Sequence, residues 1–180
     1  MPIDFAQISS TIDQRPATTS PVAVIMNQND EISGIGHNLD KPTDINILDS
    51  AVYVVVAAPQ IGRTSGSEPR YIDFWYRKNG KDIPNSTVRA VLKDCTVKDV
   101  LVNQTMMNLS HGDILNIMMC VESGTEGLGI ETLFPNGRPV IPSIIVSLLK
   151  ISEIHSAHHH GKRHRQSMGG MISIFILLRY

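Results

Sequence analysis

Cysteine is scarce in this chain. Two occur among 180 residues, Cys95 and Cys120, too few and too far apart for a disulfide framework or a zinc ribbon, so both read as apolar fillers and the redox compartment stays open. Aromatic residues make up 5% and charged residues 18%, and the formal net charge is −1. A balance so near zero argues against bulk binding to a nucleic-acid backbone, which calls for a strongly basic surface. Long hydrophobic runs are missing too. The longest, "MISIFILL" at 171–178, falls far short of the roughly 20 residues that cross a bilayer as a helix, so no membrane span is expected. The opening "MPIDFAQISSTIDQRPATTS" has neither the basic nor the apolar region of a secretory signal. A phosphate loop is not expected, because "GTEGLG" lacks the Lys–Ser/Thr ending and does not open a helix.

What is present is 42% hydrophobic residue content, enough for one domain with a modest core. Residues 1–17, polar and carrying Pro2 and Pro16, read as an N-terminal arm outside the core. Residues 18–151 are short apolar runs broken by Gly, Pro, Asn and Asp, and 152–180 form a tail. The runs "PVAVIM" (21–26), "INIL" (45–48), "AVYVVVAA" (51–58), "YIDFWYR" (71–77), "TVRAVL" (87–92), "VKDVLVNQTMM" (97–107), "DILNIMMCV" (113–121) and "SIIVSLLKI" (143–151) are rich in strand formers. Several alternate with period two: Ile72, Phe74 and Tyr76 share one face, Tyr71, Asp73, Trp75 and Arg77 the other. Turn signals at "GIGHN", "TSGSEP", "KNGKD", "SHGD", "ESGTEG" and "PNGRP" have the rhythm of an antiparallel sandwich or barrel. In "AVYVVVAA" both faces are apolar, which suits a strand buried in a sandwich or at an oligomer interface.

The sharpest local signal is "FWYRKNGKDIPNS" at 74–86. Asn79-Gly80 predicts a tight hairpin, because both central turn residues need positive φ. Arg77, Lys78, Asn79 and Gly80 are then the tip of a scaffold hairpin, with a partner or glycan contact as the secondary reading. The stretch "YIDFWYRKNGKDIPNSTVRAVL" resembles a pattern in viral and phage β-domains related to the tumour necrosis factor and complement globular-head superfamily. Three further pieces follow in the matching order: "TTSPVAVIMNQNDEISGIGH" resembles the first strands, "LSHGDILNI" the Gly–Asp turn and strand, and "RPVIPSIIVSLLKI" the closing strand. The resemblance spans about residues 18–151, leaving 1–17 and 152–180 unmatched. It implies an all-β antiparallel jelly-roll sandwich, here with extended N- and C-terminal arms, commonly assembled as a homotrimer.

Catalytic signals are poor. Outside the tail the only histidines are His37 and His111, both in turn sequences, and nothing gathers a nucleophile, a base and an oxyanion site. No enzymatic activity and no cofactor are expected. Asp40, Asp44 and Asp49, with Asn38 and Asn46, form an oxygen-rich loop that could hold calcium, though solvated turns and strand ends are the plainer reading. The tail "EIHSAHHHGKRHRQSMGG" gathers five histidines with Lys162, Arg163 and Arg165. It reads by default as a charged linker, with an anionic contact and a metal as the other uses of that composition.

"MISIFILLRY" is a strong strand former that would aggregate if left bare. Ile172, Ile174, Phe175, Ile176 and Leu177 are therefore expected to add a strand to a neighbour, reached through the basic segment. With the resemblance, these readings lead us to expect a structural component of a virus or phage particle, located in the virion as a minor or decorating capsid protein or a fibre-type protein. It would associate with itself and, through its termini, with other virion proteins. The alternative is a complement-head-like trimeric module that binds a glycan or receptor through loops 59–70, 93–96 and 122–139.

Overall fold

The computed structural model describes residues 4–153, and they form strands and loops with no helix. In chain order the strands are β1 (Phe5–Ser10), β2 (Val22–Ala23), β3 (Gln28–Ser33), β4 (Ile35–His37), β5 (Ile45–Ile47), β6 (Ala51–Gly62) and β7 (Arg70–Lys78). Then follow β8 (Lys81–Asp82), β9 (Val88–Leu92), β10 (Asp99–Val100), β11 (Asn103–Leu109), β12 (Ile114–Val121), β13 (Gly129–Ile130) and β14 (Ile144–Glu153). They divide into two antiparallel sheets. One runs β10-β6-β14-β1-β3, with β11 and β13 also on β6; the other runs β4-β5-β12-β7-β8, with β2 on β12 and β9 on β7.

Period-two patterning decides which side chains lie between the sheets. From the first sheet Ala6, Ile8, Tyr53, Val55, Ala57, Val146 and Leu148 point inward, and from the second Ile45, Ile47, Ile72, Phe74, Tyr76, Leu115, Ile117 and Met119 meet them in one cluster. Tyr76 is wholly buried and bonds across the sandwich, its hydroxyl donating to Asn103 O at 2.6 Å. Burial pushes that phenol well above its ordinary range.

All eight expected runs contain strands. The reading of residues 1–17 as an arm outside the core is corrected by β1. This strand lies between β14 and β3, with Ile8 opposite Val146 and Asn29, and Ala6 and Ile8 are buried. Two inward apolar positions make too short a pattern to stand out, and backbone pairing along both edges supplies what hydrophobicity does not. The polar strand β3, "QNDEIS", lies in none of the apolar runs but falls inside the stretch 18–37 whose resemblance implied the first strands. It lies at the end of the sheet order, where polar side chains discourage pairing with another chain.

If β1 belongs to the core, Ile8→Ala should cost about 2–5 kcal/mol, the range for truncating a fully buried aliphatic chain. A chain starting at residue 18 should then lose cooperative unfolding in urea; a sharp transition at the full chain's midpoint would show that β1 is dispensable.

Candidate functional site: a hairpin, a loop end and an apolar face

The β7–β8 hairpin closes through Asn79 (φ 50°) and Gly80 (φ 77°), with Lys78 opposite Lys81 and Arg77 opposite Asp82. The motif around it is a set of internal bonds. Trp75 Nε1 donates to Asp82 Oδ1 (2.8 Å), as does Arg77 Nε (2.7 Å). Tyr76 N donates to Ser86 Oγ (3.1 Å), which in turn donates to Ile83 O (2.7 Å). Asn79 pins the tip to the next turn: its Nδ2 donates to Asp113 Oδ1 (2.6 Å) and its Oδ1 accepts from Ile114 N (2.8 Å). The sequence motif therefore encodes scaffold geometry, and Lys81 is the cation at the tip left exposed without a described partner.

Loops 59–70, 93–96 and 122–139 converge at one end of the sandwich. Thr64 N and Ser65 N donate to Glu126 O at 3.1 and 3.2 Å, and Cys95 N donates to Gly66 O at 3.1 Å. Arg63, fully buried, lies at their centre: Nη1 meets Glu126 Oε2 at 2.9 Å and Nη2 donates to Lys93 O at 3.0 Å. Arg70 takes the other oxygen of Glu126 at 3.1 Å. Beside this, the buried Glu131 meets Arg15 and Lys98, each at 2.7 Å. Pairs this enclosed offset their own desolvation cost more than they add net stability, and their effect is to hold the loops in one arrangement. The backbones also approach closely here. A Cβ at Gly129 would stand 2.0 Å from Gln14 O, so no other residue fits without a shift.

A third feature is the outer face of the first sheet. Phe5 pairs with Leu149, Leu149 with Val54, and Val54 with Met106, so an apolar row crosses four strands. Met106 is 65% exposed, Phe5 39% and Leu149 38%. Next to the row, a groove of about 540 Å3 is lined by Gln7, Ser9, Asp30 and Ile145 and walled by Phe134 and Val140 of the 131–143 connection. Solvent-facing side chains on a sheet are normally polar, and this row departs from that.

Among the expected site residues, Arg77, Lys78, Asn79 and Gly80 stand at the hairpin tip. Lys162, Arg163, Arg165, Ile172, Ile174, Phe175, Ile176 and Leu177 lie outside the described residues. The two remaining histidines are used locally: His111 Nδ1 donates to Leu48 O at 2.6 Å, and His37 Nδ1 contacts Asn29 Oδ1 at 2.5 Å. The oxygen-rich loop is dispersed, with Asp44 accepting from Asn116 at 2.8 Å and Asp49 facing Lys150 at 3.4 Å. No group of three or more His, Cys, Asp or Glu able to hold a metal forms among the described residues. Sequence reading missed the Arg63–Glu126 and Arg15–Glu131 pairs, whose partners lie 63 and 116 positions apart with no local pattern to join them.

These sheets define an all-β antiparallel jelly-roll sandwich. No protein-family model and no curated protein matches the chain. Among solved structures it is similar to murine APRIL in crystal forms at pH 5.0, 8.0 and 8.5. Each has a TM-score of 0.52 over 83% of this chain and 100% of the other, with identities of 9%, 11% and 11% respectively. Likeness at that identity establishes the fold alone.

The link between Asn79 and Asp113 makes a pH-dependent contribution. Burial alone would raise the Asp113 carboxyl, but the Ser110 N–H, the Asn79 amide and the Lys78 ammonium outweigh it and hold it below its ordinary value. A lowered folded-state value means the stabilisation is present above the unfolded value near 3.9 and is lost as pH falls through the folded one. Asp113→Asn should therefore be less stable than the parent at neutral pH by roughly 1–3 kcal/mol. Urea midpoints of the two should converge as pH falls through the lowered folded-state value, and a constant gap down to acid would show that the carboxylate's charge plays no part.

Proposed function

We propose that the chain is a non-enzymatic structural component of a virus or phage particle, a minor or decorating capsid protein or a fibre-type protein. In this reading the jelly roll is a homotrimeric scaffold and the termini, including residues 171–180, dock onto neighbouring particle proteins. The observation that carries the self-associating scaffold is the apolar row Phe5–Leu149–Val54–Met106 on the outer face of a sheet whose inner face is already the core. Apolar rows of this kind mark surfaces that another protein covers, and closed rings of identical copies are the usual way to cover them. The particle setting rests on the motif order in residues 18–151 and the apolar, basic tail.

A second reading has an observation in its favour. The loops expected to recognise a glycan or receptor, 59–70, 93–96 and 122–139, share one end and are held there by Glu126 and its arginines. A trimeric binding module would present such an end three times, adding avidity to weak contacts.

The scaffold reading is tested with Met106→Glu and Leu149→Glu, which place a carboxylate on the face without disturbing the core. Each should leave the monomer folded while a buried, unpaired charge costs roughly 3–5 kcal/mol per interface. Sedimentation should then show single chains at concentrations where the parent is oligomeric; unchanged assembly of both variants would remove the row from the interface. Substitutions of exposed side chains in loop 122–139 address the second reading. Loss of cell or glycan binding with assembly intact supports it, and full binding by every loop variant excludes it.

A further inference from the structure

The chain contains two Asn-Gly pairs, Asn79-Gly80 and Asn136-Gly137. Asn-Gly is the dipeptide most open to intramolecular attack on a side-chain amide, since glycine has no side chain to shield its nitrogen. The glycine nitrogen gives up its proton to a base in solution and bonds to Cγ of the asparagine. The Cγ–Nδ2 bond breaks and ammonia leaves, closing a succinimide ring. Water then adds to one of the two ring carbonyls and the ring opens, giving aspartate or isoaspartate. The base hands its proton on to the departing nitrogen and is regenerated, so only water is consumed, and nothing is oxidised or reduced.

The two glycines are equally open: a Cβ at either would meet no atom within 4 Å, and their φ angles are 77° and 69°. The asparagines differ. The Asn79 amide is held at both ends, with Nδ2 on Asp113 Oδ1 (2.6 Å) and Oδ1 on Ile114 N (2.8 Å). Ring closure there must break both bonds, since Nδ2 departs and the carbonyl must swing towards the backbone. Asn136 is exposed and makes no side-chain hydrogen bond to the described residues. Its turn is closed by one long contact, Arg138 N to Pro135 O at 3.3 Å.

We propose that Asn136 is a site of spontaneous conversion to aspartate and isoaspartate, and that the fold withholds the same chemistry from Asn79. The product places a new carboxylate two residues from Arg138. Isoaspartate also inserts an extra main-chain carbon into a connection whose Phe134 and Val140 wall the outer-face groove. The surface bordering the apolar row therefore changes charge and length as the protein ages.

The test is peptide mapping by mass spectrometry of the full chain held for increasing times in warm, mildly alkaline buffer, folded or in denaturant. Folded protein should gain the amide-to-acid mass shift at residue 136 at least about tenfold faster than at 79, the factor expected from two hydrogen bonds that must open first. In denaturant the two sites should convert at similar rates. Asn136→Gln should abolish the shift in that peptide, and Asp113→Ala, checked for retained β-structure by circular dichroism, should speed conversion at Asn79. Equal rates at both sites in the folded chain, or an Asn136 that converts only in denaturant, would overturn the proposal.

Discussion

Strand β6 is hydrogen-bonded along both edges, to β14 on one side and β11 on the other, and the remaining architecture is arranged around it. Its inward residues Tyr53, Val55 and Ala57 fill the first sheet's half of the core. Its outward residues Val52, Val54, Val56 and Ala58 are equally apolar, so neither side is designed for open water. Through β14 it places β1, and through β11 it places Asn103, which receives the Tyr76 hydroxyl across the sandwich. At its far end it carries the chain into Arg63, about which the loop end is organised. A twelve-residue strand thus ties together the core, the loop end and the outer face.

Much of this could be read from the sequence where the determinants are local. Period two in "YIDFWYR" set Ile72, Phe74 and Tyr76 on one face, which the fold turns to the core, and Asn79-Gly80 gave the hairpin because both left-handed conformations fall on adjacent tolerant residues. The double apolar face of "AVYVVVAA" was equally plain. What escaped depends on distance in sequence. Strand β1 offers only Ala6 and Ile8 to the core, and it is placed by bonds to β14, over a hundred positions later. Glu126 and Glu131 resemble any loop carboxylates until Arg63 and Arg15 arrive from elsewhere.

The two regions with functional potential differ in physical character. The loop end is polar, with carboxylates enclosed by cations, Arg63 Nε and Thr132 Oγ1 buried without a hydrogen-bond partner, and backbones packed closely enough to demand glycine at residues 124 and 129. Such a region presents a fixed shape. The outer face is apolar and open, and desolvating it on contact with another protein would release the hydrophobic free energy that folding left unused. A chain with these two surfaces suits a unit that assembles through its sheet and displays its loops.

The central claim, that the outer face is covered by copies of the same chain, is tested most directly by sedimentation equilibrium of the unmodified full-length protein over a wide concentration range. A mass of three chains, dissociating on dilution, is the expected result. A single-chain mass at every concentration would contradict the claim.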